Sequence, residues 1–481
     1  MRSAPNKTVL LVTFVCLLAA AAAPAASPKN DPDSQGPLIV HEWGTFLSVQ
    51  GSDGVTLGGM VDSDEALPPF VESRSIAAWQ RSLMRVKGET PVTYFYTDRP
   101  RVVQVKVDMP EGVLTHWYPN VCRFGPSPMK PTANPPRSSY LDWCNIALLP
   151  ATAATEAGEL KMETITTNRG ETFTGFVIAE SAKDIDILEP RKSGIRTVAR
   201  RNVAERSVSK KKITFDGLLP VGTEQTWRYV RDTDSALVRQ ETFNLKGEPV
   251  VQYEKFLFYR GVGTFSMPLN VQCTEGDRAG LSLHLRNTSK EALRGLFLIR
   301  VEDGKICFGR LDDLAGNATE RFKPEYRLSA ALPLDEGVPQ IKNAVALALV
   351  EGGLYDKEAR AMMNTWDRSY FRTDGLRILY LVPRERVDGV LPIHIKPEPD
   401  RLVRVMVGRV EVLTPARERQ IEKFVADLGA NDFKTRQAAS SGLAKLGRLG
   451  EPALRRVLAT ASDPEVRVRA EAVIARVAAG K

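Results

Sequence analysis

At Ala416 the spacing of apolar side chains changes, and that switch constrains the fold more than any single motif. Beyond it, Ile421, Phe424, Val425 and Leu428 recur at the i, i+3, i+4, i+7 intervals of one helix face. Gly429 is a natural stop. Asn431 and Asp432 can cap a second helix, with Phe433, Ala439, Leu443 and Leu446 inward. Pro452 opens a third, with Leu454, Val457 and Leu458 inward. Ser462-Asp463-Pro464-Glu465 reads as a capping box before a fourth, with Val466, Ala470, Val473 and Ile474 inside. Four short amphipathic helices in series predict two stacked hairpins.

Upstream of Ala416 the pattern is mostly β. Val103, Val105 and Val107 alternate with Gln104, Lys106 and Asp108, the period-2 signature of a half-buried strand. Residues 251–265 (VQYEKFLFYRGVGTF) anchor the sheet, because Phe256, Phe258 and Tyr259 suit a sheet core. Gly261-Val262-Gly263 is expected to turn the backbone there with positive φ. Leu38–Val40 and Thr45–Val49 read as strands, as do PVTYFYT, GVLTHWYP and LDWCNIALL. A short helix is expected over 70–87, with Ile76, Trp79 and Leu83 on one face, and a longer one over 354–371. Residues 156–222 differ in texture, with short β-like pieces between turns, and TWRYVRDTDSALVR then resumes the earlier style. The 481 residues suffice for about three domains.

Residues 1–26 read as a secretory signal peptide. Arg2 and Lys7 form its positive start, Val9 to Leu18 its apolar centre, and an Ala-rich stretch its cleavage region. Residues 27–37 read as a disordered leader. No later segment approaches the ~20 apolar residues of a spanning helix, so the mature chain is expected to carry no membrane span. Without the signal, four cysteines remain: Cys122, Cys144, Cys273 and Cys307. An even number in an exported chain points to two disulfides. Proximity pairs Cys122 with Cys144 and Cys273 with Cys307. The other pairings, and four free thiols, stay open on sequence alone.

The formal net charge of +8 is concentrated in residues 191–212. Arg191, Lys192, Arg196, Arg200, Arg201, Arg206, Lys210, Lys211 and Lys212 stand there against one acid, Glu205. A basic balance confined to one segment does not make the chain a general nucleic-acid binder. The segment is a candidate patch for an anionic polymer, weighed against a solvated face.

Three stretches resemble known families. HEWGTF at 41–46, with ETPVTYFY, LTHWYP, KFLFYRGVG and LYLVPRERVDGVLPIHIKPEPDRLVRVMVGRVEVLTP, is similar to a family of exported bacterial proteins, and the resemblance transfers no activity. ITTNRGETFTGFVIAES to ERSVSKKKITFDGLLP resembles a small Sm-like β module of large bacterial c-type haem-binding proteins. The Cys-x-x-Cys-His that holds haem in those proteins is missing here, so no cofactor is expected. The tail, with FVADLGANDFKTRQAASSGLAKLG and DPEVRVRAEAVIARV, resembles HEAT-type repeats, which implies an interaction surface and a protein partner. Two such units are fewer than usually stand alone, so the tail should dock on the β body or on the partner. Its deletion, residues 416–481, is expected to leave the β body folded.

The predicted fold class is therefore mainly β. A β-sandwich-like main domain (38–155 and 223–415) carries an inserted small β-barrel (156–222) and a C-terminal α-helical HEAT-like segment (416–481). Catalytic signatures do not accumulate. His41-Glu42 lacks the second histidine of a zincin helix. Asp62, Asp64 and Glu65 lack EF-hand spacing. Gly261-Val262-Gly263 lacks the rest of a dinucleotide fingerprint. Ser207-Val208-Ser209-Lys210 lies in the charged segment, and there is no Gly-x-Ser-x-Gly or Walker loop. His41, Glu42 and His116 are the weak candidates for a metal site across strands. The expectation is an exported, non-enzymatic binding or scaffold protein; the alternative is a secreted hydrolase using carboxylate or metal chemistry.

Overall fold

The computed structural model describes residues 36–59, 67–74, 83–126, 138–150, 158–189, 195–215, 218–221, 225–243, 248–275 and 280–478. The expected signal peptide and the calcium candidates Asp62, Asp64 and Glu65 lie outside these residues, as do residues 75–82 of the helix expected over 70–87; the ends of that expected helix are instead the strand Glu72–Ser73 and the start of the strand Val86–Tyr96. The strands in chain order are β1 (Ile39–Gln50), β2 (Glu72–Ser73), β3 (Val86–Tyr96), β4 (Arg101–Met109), β5 (Gly112–Tyr118), β6 (Arg123–Gly125) and β7 (Ser139–Leu149). Then come β8 (Gly158–Thr167), β9 (Thr172–Glu180), β10 (Asp184–Leu188), β11 (Ile195–Ala199), β12 (Val203–Phe215), β13 (Leu237–Phe243), β14 (Pro249–Glu254) and β15 (Leu257–Gly263). The last are β16 (Leu269–Glu275), β17 (Leu281–Asn287), β18 (Arg294–Glu302), β19 (Lys305–Arg310), β20 (Thr319–Phe322), β21 (Leu332–Pro333), β22 (Gly375–Leu381), β23 (Ile393–Lys396) and β24 (Arg401–Val412). The helices are α1 (Gln225–Arg231), α2 (Leu334–Glu351), α3 (Asp356–Thr365), α4 (Asp367–Phe371), α5 (Arg384–Val390), α6 (Pro415–Asp427), α7 (Phe433–Leu446), α8 (Glu451–Thr460) and α9 (Pro464–Ala478).

A ten-stranded sheet organises the molecule, in the order β2-β5-β15-β3-β1-β24-β22-β18-β19-β21. The HEWGTF strand β1 is at its centre. It pairs in parallel with β24, from Ile39↔Arg401 to Gln50↔Val412, and antiparallel with β3. Sequence reading splits this strand in two around His41-Glu42-Trp43-Gly44. The structure keeps it whole because neighbours on both sides satisfy its backbone. Gly44 marks a register shift against β3, where Pro91 lies; a Cβ there would sit 2.9 Å from the Pro91 Cα. Proline without its N–H is tolerated at such an irregularity.

Alternation along the central strands separates two cores. Val40 and Phe46 of β1, Tyr259 of β15 and Met406 of β24 face a second β layer. That layer holds Val105 and Trp143 of the sheet β14-β13-β7-β4-β23 (with β6 on β7), and Leu269 and Leu283 of the sheet β16-β17-β20. Trp43, Phe258, Leu379 and Val405 point the other way, under Val345 of α2 and Met362 of α3. Further along that helical face, Leu47, Val49, Val113, Val262 and Leu413 pack against Ile421, Leu443, Leu454 and Val473 of the tail.

The glycines of β15 do not turn the chain. Gly261 and Gly263 lie inside a fully buried strand, and neither has positive φ. They serve close approach: a Cβ on Gly261 would sit 2.8 Å from the Val113 carbonyl oxygen. The helix expected over 354–371 is broken at Trp366 into α3 and α4. TWRYVRD, expected to be β, supplies α1 before β13 begins. In residues 158–215, β8 to β12 form their own five-stranded sheet, β11-β10-β9-β8-β12, around Ile165, Phe173, Ile185, Ile187 and Val198. Among the described residues no ladder joins β11 to β12, so the pairing stays open. The tail forms four helices, with Thr414 accepting from the Arg417 N–H (3.2 Å) and Asp432 from the Thr435 N–H (2.8 Å) as N-caps.

Candidate functional site

His41 and Glu42 are adjacent on β1, so the pleat sends them to opposite faces. His41 Nδ1 donates to Glu358 Oε2 of α3 (2.8 Å), and Glu358 Oε1 accepts from the Tyr96 hydroxyl (2.7 Å). The Tyr355 ring lies 4.4 Å from the imidazole. On the other face, Glu42 Oε2 accepts from Arg404 Nε (2.6 Å) and Oε1 from the hydroxyls of Tyr259 and Thr93. Arg404 also donates to Asp388 (2.7 Å) and the Leu391 carbonyl (2.7 Å). Burial would lower the Arg404 pKa, but Glu42 and Tyr259 outweigh it, so the guanidinium stays charged. Burial and the Glu42 charge together raise the Tyr259 phenol well above its ordinary value. His116 is on β5 beside Thr115 Oγ1 (3.0 Å), three strands from β1. The three candidates therefore do not converge, and the metal arrangement drawn from them is corrected. One buried cluster ties α3 to β1, and the other ties β1 to β3, β15 and β24 of its own sheet and, through Arg404, to α5.

Cys122 and Cys144 form a disulfide, with Cα atoms 6.1 Å apart. Cys273 and Cys307 are free thiols, which corrects the second expected pair. Proximity in sequence misleads there, because β16 and β19 belong to different sheets. Burial pushes the Cys273 thiol up to about 11. Asp142 lies beside the disulfide, all three ligand atoms within 4.8 Å of one another, but a closed disulfide offers no thiolate.

The basic segment is partly neutralised. Arg206 is bound by Glu163 and Glu180, Arg200 by Glu180, and Arg196 by Glu189 (3.2 Å). Hydrogen bonding to Glu163 is the chief reason the Arg206 pKa is raised. Arg201 and Lys210 are exposed. Arg191 and Lys192 lie outside the described residues, and the side chains of Lys211 and Lys212 are not among those described. Pairing with Glu163 of β8, Glu180 of β9 and Glu189 weakens the anionic-polymer patch; the sequence hides the first two partners because they are distant along the chain.

The sequence gives no warning of a polar band on the helical face of the central sheet. Arg377 of β22 is directly across from Glu411 of β24, and Arg409 follows two residues before Glu411. Arg377 Nε lies 3.0 Å and Arg409 Nε 2.7 Å from Glu411 Oε1. Arg448 of the tail reaches Glu89 of β3 (3.3 Å), which also faces Lys87 (3.3 Å). Burial would raise the Glu411 pKa, but Arg377, Arg409 and Arg448 overcome it and hold the carboxyl below its usual range. The only available signal was the charged residues in RLVRVMVGRVEVL, which half-buried alternation explains equally well.

No protein-family model matches the chain. No curated protein matches it. Among solved structures, the Fcho1 μ homology domain of Danio rerio with bound Eps15 peptide matches at 8% identity, over 79% of this chain and 97% of that one, with a TM-score of 0.22. That likeness is too shallow to bear on fold or function.

Proposed function

We propose that the chain is an exported binding or scaffold protein that engages a protein partner through the outer face of its helical tail. The observation behind this is the division of labour in that tail. Its inner face is used up on the central sheet. Its outer face leaves the Phe433 ring, which its spacing places inward, 60% exposed at the start of α7, with Arg436 and Arg469 each 5.9 Å from the ring centroid. Both arginines are held by Glu465 of α9 (3.0 and 2.9 Å). An aromatic ring flanked by ordered arginines is the residue type that dominates binding energy at interfaces. HEAT-like helical pairing, an Sm-like barrel in 156–222 and a sandwich-like main body belong to the same proposal. The five consecutive antiparallel strands with their own core support the barrel. The hydrolase alternative is less supported, since His41 and Glu42 face opposite sides of the sheet and His116 is three strands away.

The test is a pulldown with the mature protein as bait, alongside Phe433→Ala. The ring is mostly exposed, so the variant should melt within a few degrees of the parent. Loss of a partner retained by the parent supports the proposal; an unchanged set of captured proteins refutes it.

A further inference from the structure

A cavity of about 170 Å³ opens where the polar band meets the tail. That is roughly ten times the 10–15 Å³ one water needs. Its floor is the buried set of Arg377, Arg409 and Glu411, and its mouth is exposed at Arg368, Thr373 and Asp374. Arg448 forms the tail side. Four guanidiniums thus face two carboxylates, Asp374 and Glu411, on the cavity wall.

We propose that this cavity binds a small oxyanion of the phosphate and sulfate class, gripped between the central sheet and the helical tail. Three observations point the same way. The charge is unbalanced toward arginine, in a place where burial makes unbalanced charge costly. Two buried donors on the wall lack a protein partner: Arg409 Nη1, on a side chain 2% exposed, and Ser369 Oγ. Burial of the cations has its own effect. Burial first, then Arg409 and Arg448, push Arg377 down to about 10 despite Glu411. An oxyanion offers several acceptors to guanidinium forks, which matches the unused donors and supplies the missing negative charge. Arg377 is not itself free to turn, because it donates to the carbonyls of Tyr370 (2.6 Å) and Thr373 (2.6 Å). The anion is therefore met at the entrance by Arg368, and the unused donors of Arg409 and Ser369 just beneath the wall turn to it by side-chain rotation.

The test uses the full mature chain. Inorganic phosphate and sulfate are titrated calorimetrically at constant ionic strength, with chloride as the monovalent control. Saturable one-site binding of the divalent ions over chloride is expected, together with slower amide exchange at Leu446 to Leu449. Arg409→Gln should weaken affinity about tenfold or more, the loss of a charge-assisted hydrogen bond. If that variant does not fold, Arg368→Ala at the exposed mouth and Ser369→Ala serve instead, and each should weaken binding while leaving the melt unchanged. Competition by phosphoserine would assign the site to a phosphoryl group on a larger ligand, and its failure to compete to the free ion. Absence of saturable binding at millimolar phosphate and sulfate overturns the proposal, as does affinity unchanged in every folded variant.

Discussion

Deleting the tail should unfold the β body, not merely cost it a partner. The perturbation is a chain ending at Thr414. In the intact protein the tail lies over Leu47, Val49, Val113, Val262 and Leu413, all nearly inaccessible. Fully burying one such side chain contributes about 1.5–3 kcal/mol. If the tail supplies half of that cover, five residues lose roughly 4–8 kcal/mol, an upper-side figure because unfolded chains are partly compact. Polar contacts go too: Glu418 accepts from the Ser52 N–H (2.8 Å), and Arg448 reaches Glu89. Whole-protein stability is typically about 5–15 kcal/mol, so the truncated chain falls near or below threshold. This reverses the expectation drawn from the repeats alone. The assay is near-UV circular dichroism and dye binding of the truncated chain, with Phe433→Ala as a folded control. A truncated protein that is monomeric, binds no dye and melts cooperatively within a few degrees of the parent would refute the reasoning.

Three further outcomes are expected. Arg404→Met strands the buried Glu42 carboxylate and should cost about 3–5 kcal/mol in denaturant unfolding, whereas Tyr259→Phe, removing one hydroxyl, should cost about 1–3 kcal/mol; equal costs would mean the pair is not the anchor described. Glu411 has a depressed folded-state pKa, so its stabilisation is present above the unfolded value of about 4.3 and is lost as pH falls through the folded value; Glu411→Gln should flatten the acid side of the stability profile, and an unchanged acid limb would count against it. A thiol-alkylating probe should label the half-buried Cys307 in the native protein and leave Cys273 unlabelled until unfolding, because Cys273 is buried with its thiol pushed up to about 11; labelling of Cys273 at the native rate of Cys307 would contradict its placement.

Much of the architecture was legible because local periodicity encodes it. The alternation of Val103, Val105 and Val107 becomes β4, and the repeat through Ile421, Phe424 and Leu428 becomes α6. Errors gathered where local pattern and environment part company. Gly261 and Gly263 look like a turn, yet their small size serves a neighbouring strand. Trp366 carries a continuous apolar stripe but divides two helices. The candidate site was the least legible part, since Arg377, Arg409 and Arg448 come together only through strand register and tail docking.

By itself the amino-acid order determined which stretches extend and which coil, because strand and helix periods are written residue by residue. It could not determine which face of β1 meets which layer. Only the assembled sheet decided that His41 and Glu42 separate, that Cys273 stays unpaired, and that several arginines share one cavity. Those outcomes depend on pairings as distant as Ile39 with Arg401, and contacts across such separations leave no local trace.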